Sequence, residues 1–175
     1  DHPPIVTMYT AAGEPFTQCL AYSNDEGRTL VKYEGNPVLG HIVGGNRDPK
    51  VIWHVPSQQW VMALFLDGHD YALFASPDLK SWTELQRLTR DEDWECPDFF
   101  PLAVDGDPAN VRWLFWGAEG YYQLGDFDGA TYTPGDGILR YNWGGHAYAA
   151  QTYSDMCATD GRRVQIAWMR TTMPG

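Results

Sequence analysis

The sequence predicts an all-β fold of the β-propeller kind, and three observations carry that expectation. Helical spacing of apolar residues is nearly absent, while short runs rich in aromatic and β-branched residues recur between clusters of Gly, Pro, Asn and Asp. Three segments resemble one another: LAYSNDEGRTLVKY from Leu20, LFASPDLKSWTEL from Leu73 and LGDFDGATYT from Leu124. Their starts lie about 50 residues apart, the length of a four-stranded propeller blade rather than of a sandwich hairpin.

Taken in order, PIVTMYT at 4–10 reads as the second strand of a blade whose unit extends to about residue 40. The next unit, roughly 46–90, divides into DPKVIWH, QWVMALFLDG, YALFAS and SWTELQRL, four strands joined by short turns. The unit at roughly 94–141 divides into ECPDFFPLAV, RWLFWGAE, YYQLGDF and GILRY. AYAAQTYSDM and RRVQIAWMR supply the first two strands of a last unit at 146–175. The whole is expected to be a single domain, a partial propeller of about three blades, whereas closed rings have roughly 4 to 8. Unpaired strand edges would remain at both ends, so the expectation is either further chain or a homodimer closing through the open blade edges.

The 175 residues carry a net charge of −11 and 14% aromatic residues. That charge argues against a nucleic-acid partner, which needs a basic surface. No run approaches the roughly 18 apolar residues of a membrane span, and no basic start with an apolar core marks a signal peptide, so no membrane partner is expected. Cys19, Cys96 and Cys157 lack the spacing of a zinc site and are expected to be free, buried thiols. His41, His54 and His69 show no metalloprotease pattern and are expected to be structural; no metal and no cofactor are implied, and nucleotide-binding loops are absent.

In a propeller the first strand of each blade lines the central channel, which puts Asp48 at the start of one inner strand and Glu95 at the start of the next. Two acids facing one sugar-sized pocket suit glycosidic bond cleavage, one stabilising charge and the other protonating the leaving oxygen. A proton donor needs a raised pKa. Glu95 lies between Trp94 and Cys96 and close in sequence to Asp91, Glu92, Asp93 and Asp98, surroundings expected to favour its protonated form. The plainer reading is that Asp48 before Pro49 is a turn residue and the acidic run a solvated face, with Arg47 pairing Asp48 and Lys50 at the surface.

RDPKV at 47–51 and ECPD at 95–98 resemble the signature blocks of glycoside hydrolase family 32, the β-fructofuranosidases: invertases, inulinases and levanases. QCLAYSNDEGRT, KYEGNPVL, SPDLKSW, GDFDG, YAAQTYSD and IAWMR support the resemblance along nearly the whole chain. It implies a five-bladed propeller with its active site in the central funnel. It also implies retaining cleavage of terminal fructose from sucrose, inulin or levan, using an Asp nucleophile, a Glu acid/base and a second Asp that stabilises the transition state. By motif position Glu95 would be the acid/base and Asp48 the stabiliser. Arg47, Asp48 and Cys96 would bind or orient the sugar, with Cys96 tuning the surroundings of Glu95.

The sequence departs from the family pattern in three places. Nothing like the nucleophile block W-M-N-D-P-N-G precedes Asp48, and Asp1 and Asp25 are poor substitutes, so the nucleophile is not present in this sequence. Asn46 stands where the family has an aromatic residue, and HAYAAQ replaces D-F-Y-A-A-Q. The chain therefore reads as an internal piece of such an enzyme, expected to be inactive alone. The blocks around Leu20 and Lys32 favour an extracellular or periplasmic enzyme. The alternatives are a fructosyltransferase, a non-catalytic sugar-binding or scaffold propeller, and a related arabinan- or xylan-cleaving enzyme.

Overall fold

The computed structural model describes residues 2–154 and 162–171. Fourteen strands form four antiparallel sheets, and the one helical turn among the described residues is a 3₁₀ turn at Val104–Gly106. Among the described residues no helix is long and apolar enough to cross a membrane. The all-β expectation holds.

The first sheet joins β1 (Ile5–Ala11), β2 (Thr17–Ser23) and β3 (Val31–Lys32) in that order. The second runs β4 (Arg47–His54), β5 (Gln59–Asp67), β6 (Asp70–Ser76), β7 (Thr83–Thr89). In the third, β8 (Asp98–Ala103), β9 (Val111–Trp116) and β10 (Tyr121–Phe127) are followed on the outer side by both β11 (Tyr132–Pro134) and β12 (Leu139–Arg140). β13 (Ala147–Thr152) and β14 (Gln165–Met169) pair in the fourth.

Residues 61–66 and 71–75 read as continuous apolar runs because the second sheet is covered on both faces. Strand alternation divides them. Val61, Ala63, Phe65, Tyr71 and Leu73 pack with Phe99, Trp113, Phe115, Phe127 and Tyr132 of the third sheet. Met62, Leu64, Leu66, Ala72 and Phe74 face the other way, against Met8, Leu39 and Ile42. Phe100, Leu114 and Trp116 of the third sheet then meet Ala150 of the fourth. Successive sheets thus stack face to face, while polar β7 is mostly exposed at its sheet's rim, with Arg87 bonded to Glu84, as suits an edge strand.

The three look-alike segments share a physical basis. Each turn after the middle strands is closed by an aspartate that accepts backbone N–H groups: Asp25 from Thr29 at 2.9 Å, Asp78 from Lys80 and Ser81 at 2.9 Å, Asp128 from Ala130 and Thr131 at 2.8 and 2.7 Å. Hydrogen bonding holds all three carboxyls below the usual carboxylate range, that of Asp25 down to about 2, chiefly through Ser23. Asp25 is therefore engaged in its own turn.

Three sequence-based strand limits need correction. GILRY contributes only the two-residue β12, because the Asp128 turn starts β11 earlier and the two share one edge of β10. β8 begins at Asp98, leaving Glu95 in the turn before it. β13 ends at Thr152, and the rest of AYAAQTYSDM beyond residue 154, like Cys157, lies outside the described residues.

One arrangement positions the site. β4 lies against β1 on one side and β8 on the other, and β8 in turn lies against β13. The starts of β4 and β8, with the middle of β13, come together at one place.

Candidate active site

Asp48 sits in a β-bulge: Arg47 pairs with Phe65 and Lys50 with Ala63, so the register shifts between them. Such a bulge re-aims a side chain out of the ladder. The Asp48 amide donates to Thr10 Oγ1 at 3.1 Å, Thr10 Oγ1 donates to Gln18 Oε1 at 2.8 Å, and buried Gln18 Nε2 donates to the Asn46 carbonyl at 3.0 Å. The first sheet thereby holds the bulge in place. A second bulge, between Tyr148 and Gln151, lets Gln151 Nε2 donate to the carbonyls of Cys96 and Pro97 at 3.2 and 3.1 Å.

Backbone strain is concentrated here. Of eight described non-glycine residues with positive φ, four belong to this group: Asp48 (63°), Glu95 (39°), Cys96 (42°) and Ala149 (53°). Each costs on the order of 1–3 kcal/mol, and such residues gather where surroundings impose a functional geometry.

Arg47 joins the two acids. Its Nη2 lies 3.5 Å from Glu95 Oε1 and its Nε 3.7 Å from Asp48 Oδ2, while Nη1 donates to the Gly45 carbonyl at 2.7 Å and the guanidinium lies over Phe65. All three side chains are about one-third exposed, so the group opens to solvent on one side. Asp48 Oδ2 also accepts from the Cys96 amide at 3.1 Å and from its thiol at 3.4 Å. Burial, and then the Asp48 carboxylate, pushes the Cys96 thiol up, which keeps it a donor. Cys96 thus serves Asp48 directly. It is half-buried, whereas Cys19 is the buried thiol the sequence led one to expect.

Tyr148 of β13 completes the group. Burial pushes its phenol up to about 12, and the charge of Glu95 acts in the same direction. Arg170 covers the ring at 4.2 Å and is itself held by both oxygens of Glu119 at 3.0 and 2.8 Å. A cavity of about 360 Å³, lined by Cys96, Tyr148, Ala149, Trp168, Met169 and Arg170, opens beside it.

Two of the acids near Glu95 in sequence, Asp93 and Asp98, are engaged by other partners. Asp93 is buried against four backbone amides. Asp98, fully buried, accepts from the Thr152 amide and hydroxyl at 2.7 and 2.8 Å and pairs with Lys50 Nζ at 3.4 Å; Lys50 also donates to the Thr152 carbonyl at 2.6 Å. Lys50 is therefore no surface residue but half of a lock across β4, β8 and β13. Its signal was present in the sequence: Lys50 is two residues past Asp48, and Asp98 three past Glu95. Asp98→Ala is expected to lose roughly 3–5 kcal/mol, since it leaves a half-buried cation unpaired. A denaturant titration checks this, and a loss below about 1 kcal/mol would contradict the lock.

His54 packs among Trp113 and Phe127, and His41 and His69 are bonded to the carbonyls of Phe16 and Asp93. Ligand atoms of Asp48, Glu95 and Cys96 lie within 4.8 Å of one another, and the one Arg47 guanidinium stands beside both carboxylates.

The model of the glycosyl hydrolases family 32 N-terminal domain matches residues 1–174. The chain belongs to glycosyl hydrolase family 32. It is similar to a levanase of Bacillus subtilis (strain 168), 38% identical over 186 residues that cover 95% of this chain and 27% of the levanase. An invertase of Wickerhamomyces anomalus is 33% identical over 183 residues, covering 94% of this chain and 33% of the invertase. Among solved structures, the β-fructofuranosidase from Schwanniomyces occidentalis complexed with fructosyl-erythritol superposes with a TM-score of 0.85 at 30% identity, over 94% of this chain and 34% of that one. The chain thus spans about a third of the length of its family 32 relatives, within their β-propeller domain.

Proposed function

We propose that this family 32 chain carries part of the active site of a β-fructofuranosidase that releases terminal fructose from sucrose, inulin or levan. Glu95 is the acid/base, donating its proton to the glycosidic oxygen as the bond breaks and then accepting one from the attacking water. Asp48 stabilises the positive charge that develops on the fructosyl ring and holds its hydroxyls. Arg47 orients both carboxylates, and Cys96 fixes Asp48. The observation that carries this reading is the Arg47 guanidinium standing between the two carboxylates at 3.5 and 3.7 Å, on strained backbone at the meeting point of adjacent inner strands. Named relatives support the substrate class: levanase, invertase and extracellular exo-inulinase, with a fructofuranosidase complexed with fructose among the similar structures. The exo-inulinases also favour an exported enzyme. Carboxylates and water suffice, so no cofactor enters.

No further acid joins the cluster of Asp48, Glu95 and Cys96 among the described residues. We place the nucleophile on a strand outside these 175 residues, in a five-bladed ring of which these sheets make about three blades, roughly 5–5.5 Å from Glu95. The 175-residue chain alone is then expected to release no fructose from sucrose or inulin, as measured by reducing-sugar assay. Release that disappears on Glu95→Gln would contradict this placement of the nucleophile.

A further inference from the structure

We infer that Asp93 is a positioning residue for Glu95, fixing the acid/base through the backbone on which it is carried; this rests on the reading of Glu95 above. The residue is only 1% exposed. Its Oδ1 accepts from the amides of Trp94 and Glu119 at 2.9 and 2.8 Å, and its Oδ2 from those of Gly117 and Tyr121 at 3.0 and 3.3 Å. Two of those donors lie in the turn between β9 and β10, a third opens β10, and the fourth belongs to the residue just before Glu95. The same turn returns a bond, Ala118 N–H to the Trp94 carbonyl at 2.9 Å. Trp94 is thereby held at both its amide and its carbonyl.

The consequence falls on Glu95 and Cys96, whose positive φ values persist only if neighbours over-determine them. On the far side, the Tyr71 hydroxyl donates to the Glu95 carbonyl at 3.3 Å and His69 Nδ1 meets the Asp93 carbonyl at 2.9 Å. Space is fitted as closely as charge: a Cβ on Gly117 would meet the Tyr71 hydroxyl first and lie 2.7 Å from Asp93 Cγ, so only glycine leaves room for both groups that hold the Glu95 backbone. The turn reaches Glu95 by a second arm as well, because its Glu119 holds Arg170, and Arg170 covers Tyr148 beside Glu95. One hairpin turn thus sets the place of the acid/base from two directions, and Asp93 is the member that touches its backbone.

A clamp that only supports folding and one that places a proton donor differ in a measurable way. Protonation matters for an alkoxide leaving group and little for an aryl oxide, which departs without it. The test compares kcat and KM of the full-length enzyme on sucrose and on p-nitrophenyl β-fructofuranoside for wild type, Asp93→Asn, Gly117→Ala and Glu95→Gln. Asparagine keeps the shape but turns an NH₂ toward two N–H donors. Asp93→Asn is expected to lower kcat on sucrose roughly ten- to a hundredfold with KM within about twofold, and to cost the aryl fructoside under about threefold. Gly117→Ala is expected to show the same selectivity, more weakly. The ratio between substrates does not depend on the fraction of folded enzyme. Equal losses on both substrates, or none, in Asp93→Asn alongside a selective Glu95→Gln would overturn the role of Asp93. Equal losses of kcat/KM, which reports the bond-breaking step and not the later attack of water, in Glu95→Gln would instead overturn the acid/base reading itself.

Discussion

Glu95→Gln is expected to lower kcat for fructose release from sucrose by roughly 10²- to 10⁴-fold while KM stays within a few-fold of wild type. The amide keeps the shape and the reach toward Arg47 and Tyr148, but it has no acidic proton to give to the leaving oxygen. Binding of the ground-state sugar depends on the remaining groups, so the loss falls on the chemical step. Steady-state kinetics on the full-length enzyme decide it, and a loss smaller than about tenfold in kcat would mean that proton donation comes from another residue.

The second large effect is expected at Asp48. Asp48→Asn should reduce kcat/KM about 10²- to 10³-fold, the scale seen when a group aimed at developing transition-state charge is removed. Asparagine is among the non-glycine residues most tolerant of positive φ, so the bulge at φ 63° should survive and the loss can be read as chemistry. Two bonds from Cys96 and the ion pair with Arg47 now converge on Asp48 Oδ2, and each weakens when the charge is removed. Kinetics together with an unchanged near-ultraviolet circular dichroism spectrum check this. A fall below tenfold with an intact fold would leave Asp48 a turn residue and nothing more.

The sequence made some of this legible because local chemistry sufficed. Apolar runs such as VMALFL and YALFA, and turns closed by Asp25, Asp78 and Asp128, are local features, and they placed the strands of the second sheet to within a few residues. GILRY reads as one full strand, whereas two short strands share one edge of β10, which no local pattern reveals. The pairing of Asp48 with Glu95 was reachable from their places at the starts of successive inner strands. The fates of the neighbouring acids were not. Asp93 and Asp98 look like solvated charge in DEDWECPD, yet both are buried, because amides from the β9–β10 turn and groups from β4 and β13 come to meet them. Those partners lie 24 to 54 residues away in the chain, and only the packing of sheets brings them together. Tyr148 escaped notice for the same reason, its role resting on a bulge in β13.

The central claim is that Glu95 supplies the proton. Its most direct test is the pH dependence of kcat/KM for wild type and Glu95→Gln with p-nitrophenyl β-fructofuranoside and sucrose. A general acid works only while protonated, so wild-type activity on sucrose must fall on the alkaline side as the carboxyl ionises. The account predicts that this alkaline limb disappears in Glu95→Gln, while the acid limb, set by the group that must be ionised, remains. An alkaline limb that persists unchanged in Glu95→Gln would show that the proton comes from elsewhere.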